Sequence, residues 1–204
     1  MSTLEGWIID ANIDNDRNVL SLWVKNKSDR RVSRVISDWK PCFYVYPKSS
    51  FWDAEKLTYA ISQHPHVSEA MVVDKYVNLE DREKNHVVQV KVDGVNSFQK
   101  VRRDIEKLGG VELFNVDIPL EQLFFFSTHL FPFAHVSLGV SANQRLEDYR
   151  LLDSRLAVDY EIPALRILQI MVDGWEKPVL SPIEAIKRIT LKIEEQGNSN
   201  TQVI

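Results

Sequence analysis

Five cations, Lys25, Lys27, Arg30, Arg31 and Arg34, fall within ten residues of this chain, astride the turn Asn26-Lys27-Ser28-Asp29. On a hairpin such a cluster offers charge to successive phosphates, the groups that supply most sequence-independent affinity for nucleic acid. Tyr44 and Tyr46 share one face of a strand, where flat rings can stack on bases. Their flanks do not reproduce the motif of RNA-recognition domains, so core packing is the favoured reading of that pair. Bond-making chemistry finds little support. His64, His66, His86, His129 and His135 show no metal-ligand spacing beyond His64-Pro65-His66, and Cys42 is the single cysteine, so no zinc site is expected. Asp173 is one carboxylate at a strand end. There is no Gly-rich phosphate loop and no supported Ser-His-Asp order, and no cofactor is expected. Lys100, Arg102 and Arg103 interleave with Asp104 and Glu106 and read as a solvated helix face.

The composition fits a soluble globular protein, with 44% apolar and 26% charged residues in 204. A net charge of −4 argues against a protein that coats nucleic acid indiscriminately and leaves local basic patches open. One cysteine excludes an intrachain disulfide, and Met1-Ser2-Thr3-Leu4-Glu5-Gly6 carries no secretory signal; a cytoplasmic location is expected. The stretch from Leu123 to Val140 contains no Asp, Glu, Lys or Arg, but His129, Pro132 and His135 interrupt it. It reads as a buried helix followed by a strand, with no membrane partner.

Apolar alternation predicts strands at Gly6–Ile13, Val19–Lys25, Arg31–Ser37 and Pro41–Tyr46, forming a small twisted or barrel-like sheet. Pro41–Tyr46 then leads into a helix over Trp52–Gln63, opened by Ser50 with Asp53 three residues on. Strands over Val67–Val77 and His86–Val92 flank the charged loop Asn78–Asn85. A second helix, capped by Asn96, is stopped by Gly109-Gly110, and Val111–Val116 is the closing strand. This order is the split βαβ, or ferredoxin-like, arrangement. A third helix starts at Asp117 with Pro119 in its first turn, and a strand follows at His135–Val140. Ser141–Glu161 reads as a polar connection and Ile162-Pro163 as a boundary. Leu165–Val172 is apolar enough for a central strand. Pro182–Glu195 fits either a helix, from its start box, or a strand, from its alternation, and Gly197–Ile204 reads as a frayed tail.

The run Gly110-Val111-Glu112-Leu113-Phe114-Asn115-Val116-Asp117-Ile118-Pro119 resembles the end of the N-terminal domain of archaeal family B DNA polymerases. The helix through Leu130-Phe131-Pro132 is similar to the one that follows it. Leu165-Arg166-Ile167-Leu168 looks like the strand that opens the family's exonuclease domain. The resemblance implies a class α+β chain in three parts: an N-terminal domain over 1–135, a connecting segment over 136–163, and the start of a ribonuclease-H-like exonuclease domain over 164–204. The family's first exonuclease motif, Asp-Ile-Glu, aligns with Met171-Val172-Asp173. A thioether cannot replace a hard oxygen ligand to Mg²⁺, so Met171 with Asp173 marks a degenerate motif, in a branch with decayed catalytic motifs.

The resemblance further implies no catalysis by this chain alone, with single-stranded or primer-template DNA, other polymerase domains or other replication proteins as partners. A piece of a longer polymerase and a naturally short product both account for the length. In several members this domain holds a template-base pocket, which maps here to Ile13, Pro41, Cys42, Ile118, Pro119, Leu120 and Leu123. Cys42 stands where the family often has an aromatic, and Leu123 where it often has an arginine. The alternative is an adaptor that docks replication or repair proteins without binding nucleic acid.

Overall fold

The computed structural model describes residues 2–154, 156, 163, 165–173, 188–195 and 198–203, in two compact units divided between Glu161 and Ile162. In chain order the first unit holds β1 (Ser2–Asp14), β2 (Val19–Asn26), β3 (Val32–Ser37), β4 (Cys42–Pro47), α1 (Ala54–Ser62) and β5 (Val67–Lys75). It continues with β6 (Asn85–Val92), α2 (Phe98–Glu106), β7 (Val111–Phe114), α3 (Leu120–Thr128), β8 (His135–Val140) and β9 (Leu146–Leu151). The second unit contains β10 (Arg166–Asp173), β11 (Arg188–Glu195) and β12 (Asn198–Val203).

The first sheet runs β3-β2-β1-β8-β9, antiparallel throughout. Its inner face is Ile8, Leu20, Leu22, Val24, Val35, Val136 and Leu138, all buried. The alternation that predicted the strands is therefore the alternation of core and surface. Gly6 sits where β1 crosses β2, and a Cβ there would lie 2.2 Å from the Lys25 carbonyl oxygen. The expected barrel-like closure does not occur. β3 meets the residue just before β9 at one bridge, Ile36 with Arg145, where the Ile36 N–H donates to Gln144 O at 2.8 Å. A barrel needs a full closing ladder, and β4, expected as a fourth strand of this sheet, pairs elsewhere.

The second sheet runs β5-β6-β4-β7, also antiparallel, with β4-α1-β5-β6-α2-β7 in the strand–helix order read from the sequence. Phe43, Val45, Val88 and Val90 pack against Leu57 and Ile61 of α1 and Phe98, Val101 and Ile105 of α2. The helix starts differ from expectation. Asp53, not Ser50, caps α1, accepting the Lys56 N–H at 2.7 Å. Asn96 lies in a short 3₁₀ turn; its N–H donates to Asn18 Oδ1 at 2.9 Å and its amide to Asn15 O at 2.5 Å. α3 begins at Leu120 and Asp117 does not cap it, because the residue before a proline, here Ile118, is pushed out of the helical region.

α3 joins the two cores. Leu123 belongs to the second and its neighbour Phe124 to the first. Trp39 packs on both, with its ring edge-on to Phe124 at 5.6 Å and its Nε1–H donating to Ser127 Oγ at 3.0 Å. The apolar stretch from Leu123 to Val140 is thus a helix and a strand, and among the described residues no helix is long and apolar enough to cross a membrane. β9 falls inside the segment read as a polar connection. An edge strand with Glu147, Asp148 and Arg150 in solvent carries no apolar period to betray it.

The second unit is a three-stranded antiparallel sheet, β10-β11-β12. Residues 188–195 take the strand alternative, while the start box at Ser181–Glu184 lies outside the described residues. The expected frayed tail is β12, paired from Asn198 to Val203 with β11. β10 is an edge strand rather than a central one, with Leu168 54% and Ile170 60% exposed.

Candidate nucleic-acid interface

The basic hairpin splits into exposed cations and cations engaged on the sheet. Arg30 and Arg31 lie exposed at the β2–β3 turn, with Arg30 held at φ 59°. Lys25 is half-buried on β2, between Trp7 and Val32 in register. Lys27 pairs with Glu5 at 2.8 Å. Arg34 turns onto the sheet: its Nη2 donates to Asp14 Oδ2 at 2.5 Å, and its Nε and Nη2 donate to Ser21 Oγ at 2.9 and 2.8 Å. The Arg34 guanidinium holds the Asp14 carboxyl below the usual range. Arg30 and Arg31 thus face solvent, while Arg34 braces β3 against β1 and β2.

The seven base-pocket positions do not line one opening. Ile13 packs on the first core and its N–H donates to Glu121 Oε1 at 3.3 Å. Ile118 and Leu120 pack on the second core, Pro41 is buried and Pro119 is exposed. Cys42 and Leu123 alone of the seven line a cleft of 810 Å³.

That cleft follows from the way β4 and β6 are built. Phe43 and Val45 point to the helices, so Cys42, Tyr44 and Tyr46 point away from them; Gln89 and Lys91 on β6 stand opposite Tyr44 and Cys42. Tyr44 and Tyr46 are half-buried on this helix-free face, which overturns their assignment to the core. α3 forms one wall through Leu123, Phe124 and Phe126, and β9 another through Leu146 and Tyr149. Lys40, Lys75 and Lys91 line the same space.

Electrostatics grade these groups. Glu69 binds Lys91 at 2.5 Å and raises its pKa, so that charge is matched within the chain. The Lys75 ammonium lies 5.4 Å from the centre of the Tyr44 ring. Lys40 is exposed on the rim. Gln89 Nε2 donates to Cys42 Sγ at 3.2 Å, and burial outweighs that contact to push the thiol up. Burial, then the neighbouring Cys42, raises the Tyr44 hydroxyl. The arrangement offers a ring to stack on, an amide to hydrogen-bond, and ammonium groups for phosphate oxygens. Among the described residues no group of three or more His, Cys, Asp and Glu side chains could hold a metal ion.

Sequence reasoning missed Lys40, Lys75, Gln89 and Lys91. The alternation of β6, polar at Asn85, Gln89 and Lys91 between buried valines, was the available signal. Met171, opposite Thr190 in register, is 49% exposed on β10, and Asp173 closes that strand opposite Arg188.

No family model and no curated protein matches this sequence. Among solved structures, the chain is similar to the family B DNA polymerase from the hyperthermophilic archaeon Pyrobaculum calidifontis, with a TM-score of 0.65 and 17% sequence identity. The match covers 98% of this chain and 26% of that one. At that identity the likeness carries fold alone. What it shows is a fold like the N-terminal part of a family B DNA polymerase.

Proposed function

We propose that this chain is a non-catalytic N-terminal region of a family B DNA polymerase that holds single-stranded template DNA and scaffolds the exonuclease and polymerase domains. The observation that carries the reading is the helix-free face of the second sheet, where Tyr44 and Gln89 line one cleft with Lys75 and Lys40. Bases stack on Tyr44 and the lysines meet phosphates, a combination that tolerates any sequence. Arg30 and Arg31, exposed at the hairpin and outside the cleft lining, offer a second place for phosphates.

The second unit is the opening sheet of a ribonuclease-H-like exonuclease domain. The exposed apolar residues of its edge strand β10 support that reading, since a layer packed on the sheet would cover them. The family's metal site does not fit the residues here. Met171 offers a thioether where Mg²⁺ needs oxygen, so no cleavage step is assigned to this chain. A degenerate base pocket reduced to Cys42 and Leu123 leaves no arginine to grip a flipped uracil.

Fluorescence anisotropy with labelled single-stranded and primer-template DNA, over a salt series, tests the proposal. Micromolar binding at low salt is expected to weaken steeply as salt rises. The pair Lys40→Glu and Lys75→Glu is expected to lower the slope of log affinity against log salt by about 1.4, at about 0.7 per single-strand contact. Tyr44→Ala is expected to cost about 1–3 kcal/mol. Templates with and without uracil are expected to bind equally. Absence of binding at low salt would reject the DNA reading in favour of the protein-docking adaptor.

A further inference from the structure

β5 is an edge strand of nine residues, and its free flank can be read residue by residue. The Val92 N–H donates to Pro41 O on the β4 side at 2.9 Å, and the Asp93 N–H donates to His66 O on the β5 side at 3.0 Å. Alternation along an antiparallel strand then aims Val88 and Val90 at β4, and Gln89 and Lys91 at β5. Through the register Glu69–Lys91, Met71–Gln89 and Val73–Val87, those three β5 residues spend their main-chain groups on β6. Ala70, Val72 and Asp74 point theirs outward. Natural edges of this kind are guarded by a central lysine, a proline or a bulge. Here the bulge falls between Val67 and Glu69 and Lys75 ends the strand, so, among the described residues, 69–75 form a regular edge with no strand paired on its outer side.

We infer that this edge pairs with the same edge of a second copy, antiparallel, in the register that sets Val72 against Val72. That register brings all the outward groups into hydrogen-bonded pairs: Val72 with its counterpart, and Ala70 with Asp74 on either side. It also sets Glu69 against Lys75 of the second copy at both ends, and Met71 against Val73. Glu69, already bound to Lys91, then lies between two ammonium groups. A one-residue slip puts Glu69 against Asp74, a like-charge pair, or, in the other direction, against Tyr76, and either way mismatches outward with inward main-chain groups. A two-residue slip leaves Glu69 and Lys75 without their partners. Pairing covers Met71 and Val72, which are 42% and 38% exposed in the single chain. It joins the two second sheets into one, and the contact closes on itself at two copies. None of this depends on DNA binding.

Analytical ultracentrifugation of the full chain over a concentration series reads the proposal directly, and a reversible monomer–dimer equilibrium is expected. Val72→Pro removes an N–H that points away from β6 and that the pairing uses, at a position where an edge tolerates proline. It is expected to give monomer at every concentration with an unchanged circular dichroism spectrum. Lys75→Glu is expected to weaken the dimer about tenfold at low salt by facing Glu69 with a second carboxylate. Mixing it with a Glu69→Lys chain is expected to restore dimers. A chain that stays monomeric to millimolar concentration overturns the inference, as does a folded Val72→Pro chain that still dimerises, or an assembly larger than two. Should Val72→Pro fail to fold, amide hydrogen exchange of the unsubstituted chain decides. Protection of Ala70, Val72 and Asp74 that grows with concentration supports the pairing, and fast exchange at all concentrations rejects it.

Discussion

Cys42 shows how far one residue's surroundings set its chemistry. Its thiol is half-buried beside Gln89, and desolvation pushes its pKa up despite the amide contact. Only the thiolate attacks an alkylating agent. Iodoacetamide is therefore expected to modify Cys42 more slowly at pH 8 than it modifies the urea-unfolded chain. The rate should climb only above the ordinary thiol range of about 8.5. Equal rates for folded and unfolded chains at pH 8 would contradict this environment. At this scale the sequence was least legible. Arg34 looked like one more free cation because its acceptors, Asp14 and Ser21, lie 20 and 13 residues away. Hydropathy does not record which charges already have partners, and it hid Lys91 behind Glu69 for the same reason.

Among the elements, α3 carries the most. Phe124 is fully buried in the first core while Leu123 seals the second, so one helix is packed from both sides. Phe124→Ala is expected to destabilise the fold by about 3–5 kcal/mol in urea denaturation. A loss under 1 kcal/mol would mean that the site collapses around the gap. The strands with one buried face, β1 to β4, β6 and β8, were legible because burial imposes a period of two. β9 and β12 were not. An edge strand in solvent needs no apolar residues, so its pairing is decided by neighbours distant in sequence. Caps were misjudged for a related reason: Asn96 is spent on Asn15 and Asn18 of another hairpin, and Pro119 delays the start of α3. Of the cleft, Cys42, Tyr44 and Leu123 were legible beforehand, and its lysines and Gln89 were not.

For the molecule as a whole, carboxylates set the response to acid. Asp14 is held low by Arg34, Glu5 by Lys27, Asp104 by Lys107 and then His64, and Asp81 by the Asn78 N–H. A group with a depressed folded pKa stabilises fully above its unfolded value, about 4 for these carboxyls, and loses that contribution as pH falls through its folded value. The thermal midpoint is therefore expected to be level near neutrality and to fall below about pH 4. Arg34→Met should make that descent shallower, and a midpoint that holds steady to pH 2 would contradict the carboxylate assignment.

β1 pairs with β8, and Ser2 Oγ donates to the Val140 carbonyl across 138 residues, with the whole second sheet spelled out between them. On the ribosome β1 therefore emerges long before one of its two flanking partners exists. The inserted sheet has all its strands once Phe114 is out and can settle as a unit, since its pairings are internal. The first sheet must wait, its loop-closure cost deferred to the last strands of the first unit. The nascent protein thus passes through a stage in which the later-numbered sheet is finished and the earlier one is half-made, with β1 offering an open flank to any strand that reaches it first.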